Sequence, residues 1–266
     1  MGSEVINRSM KVTVCELRND LDALKQDWQS LVAHVQSESS ELVLLPEMPF
    51  YPWLSKTRQV DPGAWEASVE AHDQWMLRLD ELSPAIVVSS RPVIRHGKRL
   101  NEGFIWDAET DYNAIHTKYY LPEEEGFWEA SWYERGECGF SIGQINKARI
   151  GFLICTDLWF NFHAREYSKQ GIHLLVCPRA TPVASVEKWI AGGRTAAVVS
   201  GAFCLSSNFG GVSGEGMKWG GSGWIIEPEE GEVFGVTSQE QPFLTMDVNL
   251  GVADMAKRTY PRYVPD

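Results

Sequence analysis

Arg149-Ile150-Gly151-Phe152-Leu153-Ile154-Cys155-Thr156-Asp157-Leu158-Trp159-Phe160 joins two kinds of pattern in one short stretch. Residues 149–154 form an apolar run of the kind that fills a strand covered on both faces. Beyond Thr156 the pattern becomes amphipathic, predicting a helix over residues 158–170 that stops at Gly171, a residue suited to the left-handed position after a helix. A strand running into a helix displays the junction residue at the carboxyl edge of the sheet, where open α/β sheets bind ligands. Here that residue is Cys155. The start of such a helix offers unpaired N–H groups and a positive dipole end, which favour thiolate over thiol and can hold an oxyanion.

The same theme recurs on both sides of the junction. Residues 11–17 read as a strand, followed by a helix over residues 21–35 capped by Asn19-Asp20, then a continuous apolar strand over residues 41–45. Asp61-Pro62-Gly63 opens a helix over residues 64–82, and residues 86–88, 103–106 and 114–120 read as strands, with a turn at 107–111. After Gly171 come a strand at 173–177, a helix at 186–199, a strand at 202–206, and strand-like segments beyond Trp219. Two sheets with helices on their outer faces, related by a rough internal duplication, fit this order.

Composition narrows the class. The chain has 266 residues, 44% hydrophobic and 23% charged, as in one large soluble α/β domain. A formal net charge of −12, with no basic stripe, argues against nucleic acid or an anionic membrane as partner. The start lacks an apolar core, so no signal peptide is expected, and Ile6 stands where a myristoylation motif wants Ser or Thr. No apolar run is long enough to span a bilayer. The five cysteines include no Cys-x-x-Cys, so neither a disulfide frame nor a zinc site is suggested. Cys15, Cys177 and Cys204 lie in apolar runs and read as core thiols; cytoplasm is the default compartment.

Three expected strand ends carry reactive groups. Glu47 follows Leu42-Val43-Leu44-Leu45-Pro46, Lys118 lies in Ile115-His116-Thr117-Lys118-Tyr119-Tyr120-Leu121-Pro122, and Cys155 is the third. A carboxylate can take the thiol proton, the thiolate can attack a carbonyl carbon, and an ammonium can steady the oxyanion. Each residue alone has a plainer reading: a core thiol, a turn carboxylate, a solubilising lysine.

Together these segments resemble the nitrilase superfamily, the carbon–nitrogen hydrolases. Leu45-Pro46-Glu47 is similar to that family's base motif, Lys118-Tyr119-Tyr120-Leu121-Pro122 to its lysine motif, and Gly151 to Asp157 to its nucleophile motif. Gly126-Phe127-Trp128-Glu129 places the family's auxiliary carboxylate at Glu129, with Glu123, Glu124, Glu125 and Glu134 as nearby alternatives; residues 219–228 resemble its late hairpin. The resemblance implies a single-domain, four-layer αββα sandwich, expected over residues 10–256; residues 1–9 read as a tag-like or disordered start, and the tail at 257–266, with two prolines and little core, is expected to dock elsewhere or on a partner subunit. It implies hydrolysis of a non-peptide C–N bond with no metal or organic cofactor, and assembly as a homodimer or larger homo-oligomer. Cys155 would form a thioester, Glu47 would activate water, Lys118 and the Thr156 N–H would form the oxyanion hole, and Glu129 would position substrate or lysine.

Departures bear on the substrate more than the reaction. Tyr120 stands where the family often has His, Asn161-Phe162 replaces a common Pro-Glu, and an Arg-Ala-x-Glu-Asn pattern is lost around residues 196–200. Asp157, two residues past the nucleophile, resembles amidase branches, which favours an amide over a nitrile. Leu158 and Trp159 occupy positions where carbamoylases of free amino acids carry arginines, leaving Arg179 either to grip a carboxylate or to pair structurally. Tyr120, Trp128, Trp159 and Arg179 are the candidate substrate contacts, and Trp128, Trp132 and Trp159 suggest an aromatic acyl pocket. His163 is expected on a helix surface, about 12 Å along the helix from Cys155 and too far to be its base. Arg165 is expected in a structural ion pair, and His96, His116 and His173 show no metal-ligand spacing. Nitrile hydrolysis, acyl transfer to an acceptor other than water, and a catalytically silent binding or assembly subunit are the alternative readings; the intact set of acid, thiol and amine weighs against the last.

Overall fold

Strict alternation along the strands builds this molecule. The structure, a computed structural model, describes residues 8–214 and 216–265. Its first half comprises β1 (Ser9–Arg18), α1 (Leu21–Glu38), β2 (Leu42–Leu44), α2 (Pro62–Met76), β3 (Ile86–Arg95), β4 (Lys98–Asp107) and β5 (Asp111–Thr117). Its second half comprises α3 (Glu129–Trp132), β6 (Ile142–Ile145), β7 (Ala148–Phe152), α4 (Asn161–Lys169), β8 (Leu174–Pro178), α5 (Val186–Ser200), β9 (Phe203–Gly210), β10 (Trp224–Ile226), β11 (Val233–Val236), β12 (Phe243–Asn249) and α6 (Leu250–Ala256).

Strands run in the order β5-β4-β3-β2-β1-β9-β8-β7-β6, with β12 on β1 and β10 on β9. The long β1 links the two halves: Val12–Val14 pair with β2, and Glu16–Arg18 pair with Asn208–Gly210 of β9. Val12, Val14, Leu42, Leu44, Ile86 and Val88 meet Ile150, Phe152, Leu174, Val176, Phe203 and Leu205 in the core between the sheets. The intervening residues face outward, where Cys15, Val43, Leu45 and Val87 pack on Leu24, Trp28, Leu31 and Val35 of α1. On the other side Leu175, Cys177 and Cys204 pack under Ala164, Tyr167, Ala196 and Ala197 of α4 and α5. A one-residue register slip would exchange these two faces, and so burial of both pins the register. The result is helix, sheet, sheet, helix, the four-layer α/β sandwich expected.

Local chemistry sets the element ends. Asp20 caps α1 by accepting from the N–H groups of Asp22 and Ala23, an interaction worth about 1 kcal/mol. The helix expected over residues 64–82 is two pieces: α2 ends at Met76, and Leu79–Leu82 is a separate 3-10 turn. The short strands expected at 86–88 and 103–106 are one long hairpin, turning at His96 and Gly97, both at positive φ, with Arg95 paired to Lys98. His-Gly is not among the common two-residue turn signals, and the polar outer stretch of the hairpin hid its length.

The tail folds back on its own chain. Arg262 is buried, donating to the Ala256 carbonyl at 2.7 Å and to Glu229 Oε2 at 2.6 Å. Arg165 donates to the carbonyls of Arg262 and Val264, so it holds the tail through backbone oxygens. Of the start expected to be disordered or tag-like, residues 1–7 lie outside the described residues, and Ser9 already belongs to β1. No helix among the described residues is long and apolar enough to cross a membrane.

Candidate active site

Cys155 sits in a strained turn. The strand β7 ends at Phe152, Leu153 still donates to the Val176 carbonyl at 3.0 Å, and Cys155 then takes φ +46°. A non-glycine residue in that region is uncommon and costs of order 1 kcal/mol or more, offset by surrounding contacts. The expected helix does not begin at this junction: Cys155–Trp159 is one 3-10 turn, and α4 starts only at Asn161. The backbone needs the tight turn to redirect the chain after the strained residue. The Thr156 N–H lies in the first turn, where no intrahelical partner exists.

Asp157 fastens this turn to the neighbouring sheet. Its buried carboxylate accepts from the N–H groups of Tyr119 and Tyr120 at 3.3 and 2.9 Å and from His116 Nε2 at 2.9 Å. The stretch immediately after Lys118 is therefore tied to the stretch immediately after Cys155.

Lys118 lies just past β5 with its ammonium fully buried. Its Nζ donates to Glu47 Oε1 at 2.8 Å and to Glu129 Oε2 at 2.5 Å. Asn101 Nδ2 donates to the same Glu47 oxygen at 2.8 Å, and Tyr133 OH donates to the same Glu129 oxygen. The other oxygens, Glu47 Oε2 and Glu129 Oε1, are buried and take no hydrogen bond from the described residues. Glu47 itself is held at the seam of the sheets, where its N–H donates to the Arg179 carbonyl at 3.2 Å.

The charges perturb one another. Burial opposes the Lys118 ammonium, but the Glu129 and Glu47 carboxylates outweigh it and hold the group well above the usual lysine range. Burial raises the Glu129 carboxyl; Lys118 opposes the shift and Glu47 adds to it. Burial, reinforced by Glu47 and opposed by Lys118, pushes the Cys155 thiol up. Burial thus disfavours the thiolate at Cys155, the opposite direction from the effect of a helix N-terminus. No long helix begins at that point, and Cys155 is buried.

A cavity of about 250 Å³ opens on Cys155 and Thr156, walled by Glu129, Phe127, Trp159, Trp189, Ala180 and Thr181, with Glu124 and Lys188 also lining it. Of the expected substrate contacts, Trp159 is on this wall, packed 4.9 Å from Trp189. Tyr120 is not; it stacks on Phe160 at 3.4 Å and hydrogen-bonds His163 Nε2 at 3.0 Å. Nor is Trp128, whose ring lies under Arg58, or Trp132, whose Nε1 donates to the Thr57 carbonyl. Arg179 is fully buried away from the cavity lining, donating to Ser206 Oγ at 2.7 Å, Thr181 Oγ1 at 2.8 Å and the Ser222 carbonyl at 2.8 Å. Its donors are occupied by the protein, which gives it a bracing position in place of a substrate grip.

His163 is buried rather than surface-exposed, stacked on Phe140 at 3.4 Å, because α4 turns that face inward. Asn101, Tyr133, Phe127 and Trp189 were not anticipated from sequence. An asparagine buried within a strand, where that residue is disfavoured, was the one available signal for Asn101. Tyr133 stands four residues after Glu129, a spacing that lets side chains meet on one helical face. No group of three or more His, Cys, Asp or Glu among the described residues could hold a metal ion.

A family model described as Carbon-nitrogen hydrolase matches residues 11–258, and the chain belongs to that family. It is 24% identical over 178 residues to the citrullinase of Francisella tularensis, covering 65% of this chain and 62% of that one. It is 24% identical over 240 residues to the chloroplastic omega-amidase of Arabidopsis thaliana, covering 86% and 64%. The chain therefore spans less than two thirds of the length of either relative. The crystal structure of a carbon-nitrogen hydrolase from Helicobacter pylori G27 shares the fold, with a TM-score of 0.86 at 17% identity over 97% of this chain and 95% of that one.

Proposed function

We propose that the chain hydrolyses a small amide or carbamoyl compound through a thioester on Cys155, releasing ammonia and an acid. The observation that carries this reading is the asymmetry of Glu47. One of its oxygens is anchored by Lys118 and Asn101, and the other is buried with no donor among the described residues. An anchored carboxylate with a free lone pair is a positioned proton acceptor.

In this mechanism Glu47 takes the Cys155 proton as sulfur bonds to the carbonyl carbon. Burial disfavours a free thiolate, so proton removal by Glu47 accompanies the attack. The tetrahedral oxyanion is held by the Lys118 ammonium and the Thr156 N–H. Glu47 returns its proton to the leaving nitrogen, the C–N bond breaks and ammonia departs. Water then attacks the thioester carbon, giving its proton to Glu47, and the C–S bond breaks to free the acid and the thiol. Glu129 holds Lys118 from the other side. The family match and the similarity to a citrullinase and an omega-amidase support this substrate class. The same reading takes the protein as a cytoplasmic homodimer or larger homo-oligomer, which sedimentation of the purified chain tests for assembly.

Acid-quenching the enzyme during turnover of a slow amide and weighing it intact tests the chemistry. The expected result is an added acyl mass on Cys155 that decays when substrate is exhausted. Wild-type ammonia release from Cys155→Ala would end the proposal.

A further inference from the structure

Glu124 and Lys188 line the same cavity as Cys155, and they reach it from separate elements. Glu124 lies in the loop before α3, paired with Phe127 through the backbone alone, and Lys188 lies in the first turn of α5. Both residues are exposed, and neither forms an ion pair among the described residues, with each other or with anything else. Opposite charges that share one cavity and do not neutralise each other present two separate, unspent recognition points. The same wall carries Phe127, Trp159 and Trp189, surfaces suited to a short aliphatic chain. A volume of about 250 Å³ falls below the ~300–1,000 Å³ of drug-sized sites, which restricts the occupant to a small molecule.

We infer that the substrate is a zwitterion: a small α-amino acid whose side chain ends in a carboxamide or ureido group. The scissile carbonyl lies at Cys155, the α-carboxylate meets Lys188, and the α-ammonium meets Glu124. This rests on the hydrolytic reading of Cys155 and adds to it the identity of the distal group. It also moves the carboxylate contact from Arg179 to a residue that faces the cavity.

The test measures ammonia release from four amides of similar reach: pentanamide, 4-aminobutanamide, glutaramate and L-glutamine. They carry no distal charge, an ammonium, a carboxylate, and both. The expected order of kcat/KM places the zwitterion first and the neutral amide last, with about tenfold per charge, read mainly in KM. Lys188→Gln is expected to shrink the advantage of carboxylate-bearing over carboxylate-free amides about tenfold, and Glu124→Gln the advantage of ammonium-bearing ones. Equal rates on all four amides, or a zwitterion preference that survives both substitutions, would overturn the inference and leave hydrolysis at Cys155 standing. Ammonia from none of the four, and none from L-citrulline, would overturn the inference, while the intact-mass test of Cys155 decides the hydrolytic reading separately.

Discussion

Lys118 and Arg179 are both fully buried cations, each just past the end of a strand, yet their surroundings assign them opposite work. Lys118 is gripped by two carboxylates, each with its other oxygen left without a donor among the described residues. Arg179 is gripped by neutral oxygens of Ser206, Thr181 and Ser222 and lies 4.0 Å from the centre of the Trp224 ring. Counter-charges drive the lysine pKa up, whereas burial without close counter-charge pulls the guanidinium down to about 10. Burial of a charge is therefore not in itself a mark of chemistry. What distinguishes the cluster proposed as reactive is carboxylate oxygens without a donor among the described residues beside a cavity, while the Arg179 cluster has its donors in use.

The largest test of this contrast is removal of the sulfur proposed as the nucleophile. Cys155→Ala is expected to lower ammonia release by about 10⁵-fold or more, to background, with unchanged circular dichroism. Lys118→Ala comes next, with kcat expected to fall by about 10³-fold, because an oxyanion donor is lost and two carboxylates are left to repel. Glu129→Gln keeps shape and removes one charge, so a loss of about 10- to 100-fold in kcat is expected at little cost to KM. If Glu129→Gln raised KM alone, its place would be on substrate rather than on Lys118.

Arg179→Met probes the other side of the comparison. Its expected effect is on stability, about 3 kcal/mol by urea unfolding, because Ser206, Thr181 and the Ser222 carbonyl lose their donor. Turnover per folded molecule should change by less than about threefold. A turnover loss as large as that of Lys118→Ala would erase the distinction between the two cations.

His72 gives the smallest effect and extends the rule to a third buried base. Its Nδ1 bonds the Ser68 carbonyl at 2.7 Å, its Nε2 accepts from Phe50 N–H at 3.3 Å, and burial depresses its pKa to about 3. The unfolded state binds a proton below about 6.5 that the folded state refuses until about 3. Stability should therefore fall as pH drops through that window, by about 2 kcal/mol at pH 5, and be flat above neutrality. His72→Gln should flatten that slope in urea titrations at pH 5 and 7.

Much of the molecule is legible in its residues because apolar runs leave a direct trace. The runs at 11–17, 41–45, 149–154 and 173–177 mark β1, β2, β7 and β8, while the face each side chain takes emerges only from the packing. The approach of Glu47, Lys118 and Cys155 to one point was expected for a related reason, since all three follow apolar strands. Less was visible where the deciding contact joins distant segments. Asn101 meets Glu47 only because β4 pairs with β3 in one register, and Trp189 reaches the cavity only because α5 lies over β9.

Sequence alone marked most strands and helices and placed a thiol, an acid and an amine at expected strand ends, because periodicity and strand ends are local properties. The tertiary structure decided which buried carboxylates retain oxygens without a donor among the described residues and which tryptophans wall the cavity. Those outcomes depend on solvent exclusion and on partners far apart in the chain, and no local pattern encodes either.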